Sequence, residues 1–234
     1  MPIHSQIGSL VAWTGAAVFL WSLLYAFYSY VVRFVPAPTS DGWASALAVN
    51  VLLFSAFALH HSVLARARWK QRLITRVGAR LERPVYVWVA SLLFLACCAL
   101  WQLLPGRLYQ WSGLWIAVPV GLQGAGAVLT ALAARRLDVM ELAGLRQPAP
   151  AIEPRALETD GTYGLVRHPI YLGWVLLMAG AIDMTWTRAC FAAVSIGYLV
   201  IAVPFEERGL LGAYGDSYRR YQRAVRWRIV PGVY

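Results

Sequence analysis

Two polar pairs in this sequence have residue types and spacing that suit chemistry, Arg167-His168 and Glu206-Glu207. The first lies in Tyr163-Gly-Leu-Val-Arg-His-Pro-Ile-Tyr-Leu-Gly173. The second precedes a tail reading Tyr214-Gly-Asp-Ser-Tyr-Arg-Arg-Tyr221 and Arg226-Trp-Arg-Ile-Val-Pro231. Between them, residues 174–205 hold only two charges, Asp183 and Arg188. An apolar hairpin of that length in a bilayer returns the chain to the face it left, so the two pairs are expected to meet at one depth. Charge held there is costly and marks function. Pro169 suits the first turn of a helix, where its missing N–H costs nothing. Arg167 and His168 then precede a helix N-terminus, whose free N–H groups favour an anionic group. Tyr171 falls on that first turn, and Gly173 lets another group approach the backbone closely.

The elements that must position these residues are membrane spans. The 234-residue chain is 59% hydrophobic and 14% charged, with eleven Trp and a mean hydropathy of +0.55, far from a soluble domain. Apolar segments at roughly 7–32, 43–63, 84–104, 111–134, 165–182 and 186–205 are long enough to cross or nearly cross a bilayer. The predicted fold class is all-α: a polytopic transmembrane helical bundle of about six spans with a C-terminal amphipathic helix. Residues 1–234 read as a single integral membrane domain, with four N-terminal spans in 1–134 and a cofactor-binding part in 135–234. Of the 21 Lys and Arg, eighteen fall in loop 64–83, in 135–167 or in the tail, and only Arg33, Arg107 and Arg188 fall on the other face. That alternation predicts six spans with both termini cytoplasmic. The net charge of +10 is then a topology signal and an attraction to anionic lipid. A nucleic-acid partner is excluded, because no soluble basic module is present.

Several features carry less than they suggest. His60-His61 end the second span with no Cys, Asp or Glu nearby at ligand spacing, so they read as interfacial histidines and no metal is expected. Cys97-Cys98 and Cys190 form no C-x-x-C pair and read as packing residues. Gly121, Gly124 and Gly126 lack dinucleotide-loop spacing and suit close helix contact, with Pro119 expected to kink that span. Loop 64–83, with Leu73, Ile74 and Val77 between arginines, predicts a surface-lying helix. Loop 135–162, held extended by Pro148, Pro150 and Pro154, reads as a solvated linker or as a lid over a cytoplasm-facing pocket. In the tail, Tyr214, Tyr218, Tyr221 and Val225 recur at helical spacing, which predicts an amphipathic helix lying on the membrane beneath the pocket.

Taken together, Arg167-His-Pro-Ile-Tyr-Leu-Gly173, Glu206-Glu207, the Tyr214-Gly-x-x-Tyr218-x-x-Tyr221-x-x-x-Val225 tail and Pro231 resemble the isoprenylcysteine carboxyl methyltransferase superfamily. That superfamily includes phospholipid methyltransferases, and its members are integral membrane enzymes using S-adenosylmethionine. His61-Ser62-Val63, Glu82-Arg83-x-x-Tyr86 and Gly144-Leu-Arg-Gln147 are similar to its bacterial branch of methanethiol S-methyltransferases and NnrU-like proteins. The resemblance assigns cofactor contacts to Tyr163, His168, Pro169, Ile170, Tyr171 and Glu206, and adds Gln147, Leu157 and Glu158. The chain departs from the pattern twice. Ala202 stands where isoprenylcysteine enzymes carry a substrate-contacting arginine, and Val139 stands where the methanethiol branch tends to have histidine.

The chemistry implied is methyl transfer from a sulfonium, an in-line displacement that positioning and a dry cavity can drive. No catalytic residue is assigned. The sequence isolates no candidate base, which favours an acceptor that is already anionic. The expected function is S-adenosylmethionine-dependent methylation of a thiol or of a lipophilic carboxylate such as an isoprenylcysteine-like acceptor. The expected partners are the lipid bilayer and a small or lipophilic methyl acceptor recognised by burial. A lipid amine remains a further possible acceptor. Two other readings stay open: an intramembrane NADPH-dependent reductase of sterol-reductase-like architecture, and a non-catalytic membrane protein retaining the scaffold. Arginine's near-total replacement of lysine points to a GC-rich bacterial genome and the inner membrane.

Overall fold

In the computed structural model, which describes residues 3–36, 42–64, 66–146 and 156–234, helices account for nearly all regular structure. In chain order they are α1 (Ile3–Tyr28, continuing as a π-helical turn Ser29–Arg33), α2 (Trp43–Leu64), α3 (Ala67–Val77) and α4 (Ala79–Leu100). Strand β1 (Arg107–Gln110) and a 3₁₀ turn (Gly113–Ile116) precede α5 (Ala117–Ala134), α6 (Val139–Leu142), α7 (Thr162–Leu165) and α8 (Pro169–Ala179). Strand β2 (Asp183–Thr185), α9 (Trp186–Tyr214) and α10 (Asp216–Ala224) complete the described elements. The two short strands form one small sheet in an otherwise all-α, polytopic helical bundle.

Five helical segments among the described residues are long and apolar enough to cross a membrane, Gln6–Arg33, Trp43–Leu64, Ala79–Leu100, Gly113–Ala134 and Trp186–Tyr214. Their flanks carry exposed Trp13, Trp21, Phe27, Leu52 and Leu59. Apolar surface on that scale suits lipid and does not suit water. The sixth expected span, 165–182, takes a shorter form. Its helix α8 has eleven residues and rises only about 16 Å, roughly half of a hydrocarbon core. Gly180–Ile182 and β2 continue the chain into α9.

The chain divides into two compact units, one of residues 1–108, 139–148 and 185–191, the other of 109–138, 149–184 and 192–234. In the first, α4 packs against α1, α2 and α3. The amphipathic α3 forms within loop 64–83, where a helix is expected, with Leu73, Ile74 and Val77 half-buried. Polar groups seal its helix ends. Asn50, fully buried, donates from its amide to the Gln102 carbonyl at 2.9 Å and accepts the Gln102 N–H at 2.7 Å. Arg33 donates to the Cys98 and Ala99 carbonyls at 3.0 and 3.1 Å, and Arg188 to those of Tyr30 and Val31, each at 2.7 Å. Both arginines thus cap the orphan carbonyls at helix C-termini. By sequence alone they count only as outer-face charges.

In the second unit α5 and α8 lie backbone to backbone. A Cβ placed at Gly126 would meet the Gly173 carbonyl oxygen at 2.7 Å, and one at Gly180 the Pro119 carbonyl oxygen at 2.7 Å. Of the three glycines expected to permit close contact, Gly126 does so, while Gly121 and Gly124 face open space. Pro119 sits in the first turn of α5, where its missing N–H costs little. The expected approach to the Gly173 backbone is made by Thr130 and Gly126 of α5.

The tail corrects the membrane-lying expectation. In α10, Tyr218, Tyr221 and the following Val225 are 1%, 5% and 7% exposed. They pack against Leu157, Tyr163, Leu210, Leu211 and Tyr214. The apolar face predicted for lipid is thus buried within the protein, and the charged face of Arg219, Arg220 and Arg223 is the exposed one.

Candidate functional site

The site is built where the N-terminus of α8 meets the C-terminal third of α9. Gly161 at φ +60° turns the chain into α7. Val166 then becomes extended, His168 serves as the N-cap residue of α8, and Pro169 occupies its first turn. Backbone pairing with the tail holds this approach: the Arg167 N–H donates to the Trp227 carbonyl at 2.9 Å and the His168 N–H to that of Arg228 at 2.8 Å. Below it, Val166, Leu172, Val203 and Ile229 form an apolar core.

Arg167-His168 and Glu206-Glu207 do converge, as the hairpin argument required. Arg167 Nε donates to Glu207 Oε1 at 2.6 Å, and both side chains are buried. The same guanidinium reaches the Val225 and Arg226 carbonyls at 2.7 and 2.8 Å. Glu207 also receives His168 Nε2 at 3.4 Å and Gln222 Nε2 at 3.2 Å, and forms an ion pair with Arg228 Nε at 3.3 Å. Three hydrogen-bond donors and one further cation therefore surround this carboxylate.

Its neighbour is placed differently. The Glu206 side chain is 45% exposed. It accepts the Tyr171 hydroxyl at 2.8 Å and lies 3.8 Å from His168 Nδ1. The His168 and Tyr171 rings stack at 5.3 Å and 8°. One carboxylate is thus consumed internally while the next faces outward beside an imidazole and a helix N-terminus. Such a place can take an ammonium on the carboxylate and an anionic oxygen on the imidazole side, as a free amino-acid group offers.

The remaining expected contacts fall around this centre. Pro169 is fully buried and Ile170 half-buried. Tyr163 packs with the α10 tyrosines, and its carbonyl accepts the Tyr221 hydroxyl at 2.8 Å. Burial, then the carboxylates of Glu158 and Glu206, push the Tyr163 hydroxyl above its ordinary pKa, so it stays a neutral phenol. Leu157 joins the same cluster, and Glu158 pairs with Arg136 at 3.5 Å. Gln147 and the prolines of the expected lid lie outside the described residues.

Sequence reasoning missed the parts played by Arg228 and Gln222. Only the tail's return beside Arg167 brings them to Glu207, and no local spacing signals it. In the other unit, His61 Nδ1 lies 2.9 Å from the Tyr86 hydroxyl and the His60 ring stacks on Tyr86. His60 is half-buried and His61 exposed. Among the described residues, no group of three or more His, Cys, Asp or Glu is placed to hold a metal ion.

No family model matches the chain, and no solved structure matches it. Curated proteins do. Methanethiol S-methyltransferase 2 of Bradyrhizobium diazoefficiens is 33% identical over 92% of this chain and 87% of its own length. Methanethiol S-methyltransferase of Pseudomonas deceptionensis is 34% identical over 95% of this chain and 94% of its own. A Delta(14)-sterol reductase of Mus musculus is 33% identical over only 40% of this chain and 23% of its own length. Likeness at that identity over nearly full length, on a polytopic helical scaffold, makes the chain a methyltransferase, and it belongs to the methanethiol S-methyltransferase family of integral membrane enzymes.

Proposed function

We propose that this protein uses S-adenosylmethionine to methylate a small thiol, with its site opening on the cytoplasmic face of the bacterial inner membrane. The observation that carries the reading is the contrast between the two glutamates. Glu207 has its charge met by Arg167 and Arg228, whereas Glu206 turns a half-exposed carboxylate outward beside His168. That donor set fits the amino-acid end of the methyl donor: carboxylate to ammonium, imidazole and helix N-terminus to carboxylate. Pro169, Ile170 and Tyr171 would form the floor. Tyr163, Leu157 and Glu158 would face the nucleoside. We read both units as parts of one membrane domain.

When bound, the donor's sulfonium supplies the methyl group by in-line displacement, its S–CH₃ bond breaking as the acceptor sulfur forms the new bond. The protein's own residues orient the two partners and exclude water, which can supply most of the rate. The thiol reading follows the activity in the relatives' names. It agrees with Ala202, since a neutral side chain there offers no cation to an acidic acceptor.

Titrating the purified protein in detergent with S-adenosylmethionine and, separately, with NADPH tests the reading. Binding of the sulfonium compound is expected, and His168→Ala or Glu206→Gln should each weaken it by about 1–3 kcal/mol. Binding of NADPH alone would establish the reductase reading instead, which the partial likeness to a sterol reductase keeps in view.

The acceptor is tested by its ionisation and its length. Because the thiolate is the nucleophile, kcat/KM for an alkyl thiol should rise tenfold per pH unit below the thiol's own pKa. Each added methylene should contribute about 0.8 kcal/mol until the cavity fills. A prenylated cysteine carboxylate that turns over better than every thiol, with a pH-independent rate, would overturn the thiol assignment.

A further inference from the structure

We infer that Tyr218 is a cofactor-binding residue whose buried hydroxyl donates a hydrogen bond to the nucleoside half of the methyl donor. This rests on the methyl-donor reading above. Tyr218 is 1% exposed, and its hydroxyl has no hydrogen-bond partner among the described residues. A buried hydroxyl left unpaired costs about 1–3 kcal/mol, and phenylalanine would fill the same space without that cost. Local packing does not account for the hydroxyl.

The neighbouring polar groups have partners of their own. Tyr221, the next residue on this face, donates to the Tyr163 carbonyl at 2.8 Å. Glu207 takes hydrogen bonds from Arg167, His168 and Gln222 and an ion pair from Arg228, and Glu206 accepts the Tyr171 hydroxyl. Tyr218 lies within electrostatic range of this centre: Glu207 raises its pKa further after burial has done so, and Arg167 lowers it. The phenol therefore stays protonated and acts as a donor.

Its surroundings decide which half of the ligand it serves. Tyr218 packs with Tyr221 and Val225 against Leu157, Tyr163, Leu210, Leu211 and Tyr214, an apolar and aromatic wall. A flat, neutral nucleoside with ring-nitrogen and ribose lone pairs matches such a wall and such a donor. The charged amino-acid half is already matched at Glu206 and His168.

Tyr218→Phe separates this from a packing role through two readouts that need no turnover. The first is the thermal midpoint of the ligand-free protein; the second is Kd for S-adenosylhomocysteine and for 5′-methylthioadenosine, which lacks the amino-acid group. The substitution should leave the midpoint unchanged or raise it, and should weaken both compounds about 5–30-fold. Glu206→Gln should weaken only S-adenosylhomocysteine. Unchanged affinities in Tyr218→Phe, or a lowered midpoint, would overturn the inference and return the hydroxyl to the fold. Loss confined to S-adenosylhomocysteine would overturn the assignment to the nucleoside half. Failure of the unaltered protein to bind either compound would instead overturn the methyl-donor reading.

Discussion

Glu207→Ala is expected to cost the folded protein about 3–5 kcal/mol, the scale for removing one partner of a buried ion pair. Arg167, at 2.6 Å from the carboxylate, is 7% exposed in its side chain and would be left as an uncompensated charge. Arg228 contributes less, because its side chain is 36% exposed. The damage should spread along the backbone. Arg167 also holds the Val225 and Arg226 carbonyls, so the segment 225–228 should loosen and become accessible to protease. Glu206→Gln removes an exposed charge and should leave the thermal midpoint nearly unchanged while weakening the donor. Thermal unfolding in detergent, with limited proteolysis of the tail, measures the difference. Equal midpoints for the two variants would mean that the buried network does not hold the site together.

The second large effect is expected at the seam between α5 and α8. Gly173→Ala places a methyl group well inside contact distance of Thr130 Oγ1 and 2.9 Å from the Gly126 carbonyl oxygen. Overpacking of this kind costs about 1–3 kcal/mol, and here one obstacle is backbone that cannot rotate away. Because α8 presents His168 and Tyr171 from its first turn, donor binding should weaken together with stability. Thr130→Ala alone should be mild, since Thr130 Oγ1 has no hydrogen-bond partner among the described residues. The double variant should recover part of the loss, giving a non-zero coupling in a double-mutant cycle. Strict additivity would place the strain at Gly126 alone.

Much of this protein is legible from its residues because a bilayer leaves the chain few options. Backbone polar groups must be satisfied within each segment, so long apolar runs become helices and short polar connections return them. That reasoning identifies five of the six expected spans among the described residues and brings Arg167-His168 and Glu206-Glu207 together. It also predicts an amphipathic helix in loop 64–83, another in the tail, and a close helix contact at the glycines of the fourth span. These conclusions depend on composition and period, which are local properties.

What the sequence alone left open depends on which surfaces meet. Nothing in Glu-Glu tells one glutamate from the other. Their separation into a buried hub and an outward carboxylate follows from the helical rotation between adjacent residues on α9, with Arg228 and Gln222 delivered by the tail. The apolar stripe of Tyr218 and Tyr221 suits lipid and protein equally by hydropathy, and only packing against Leu157 and Tyr163 decides for protein. Arg33 and Arg188 count as topology charges until the folded chain brings unpaired helix-end carbonyls within 3.1 Å of them. The sequence by itself determined the membrane class, the helical elements and the polar pairs that meet. The tertiary structure decided which member of each pair is occupied and which remains available, because hydrogen-bond saturation is set by neighbours distant in the chain.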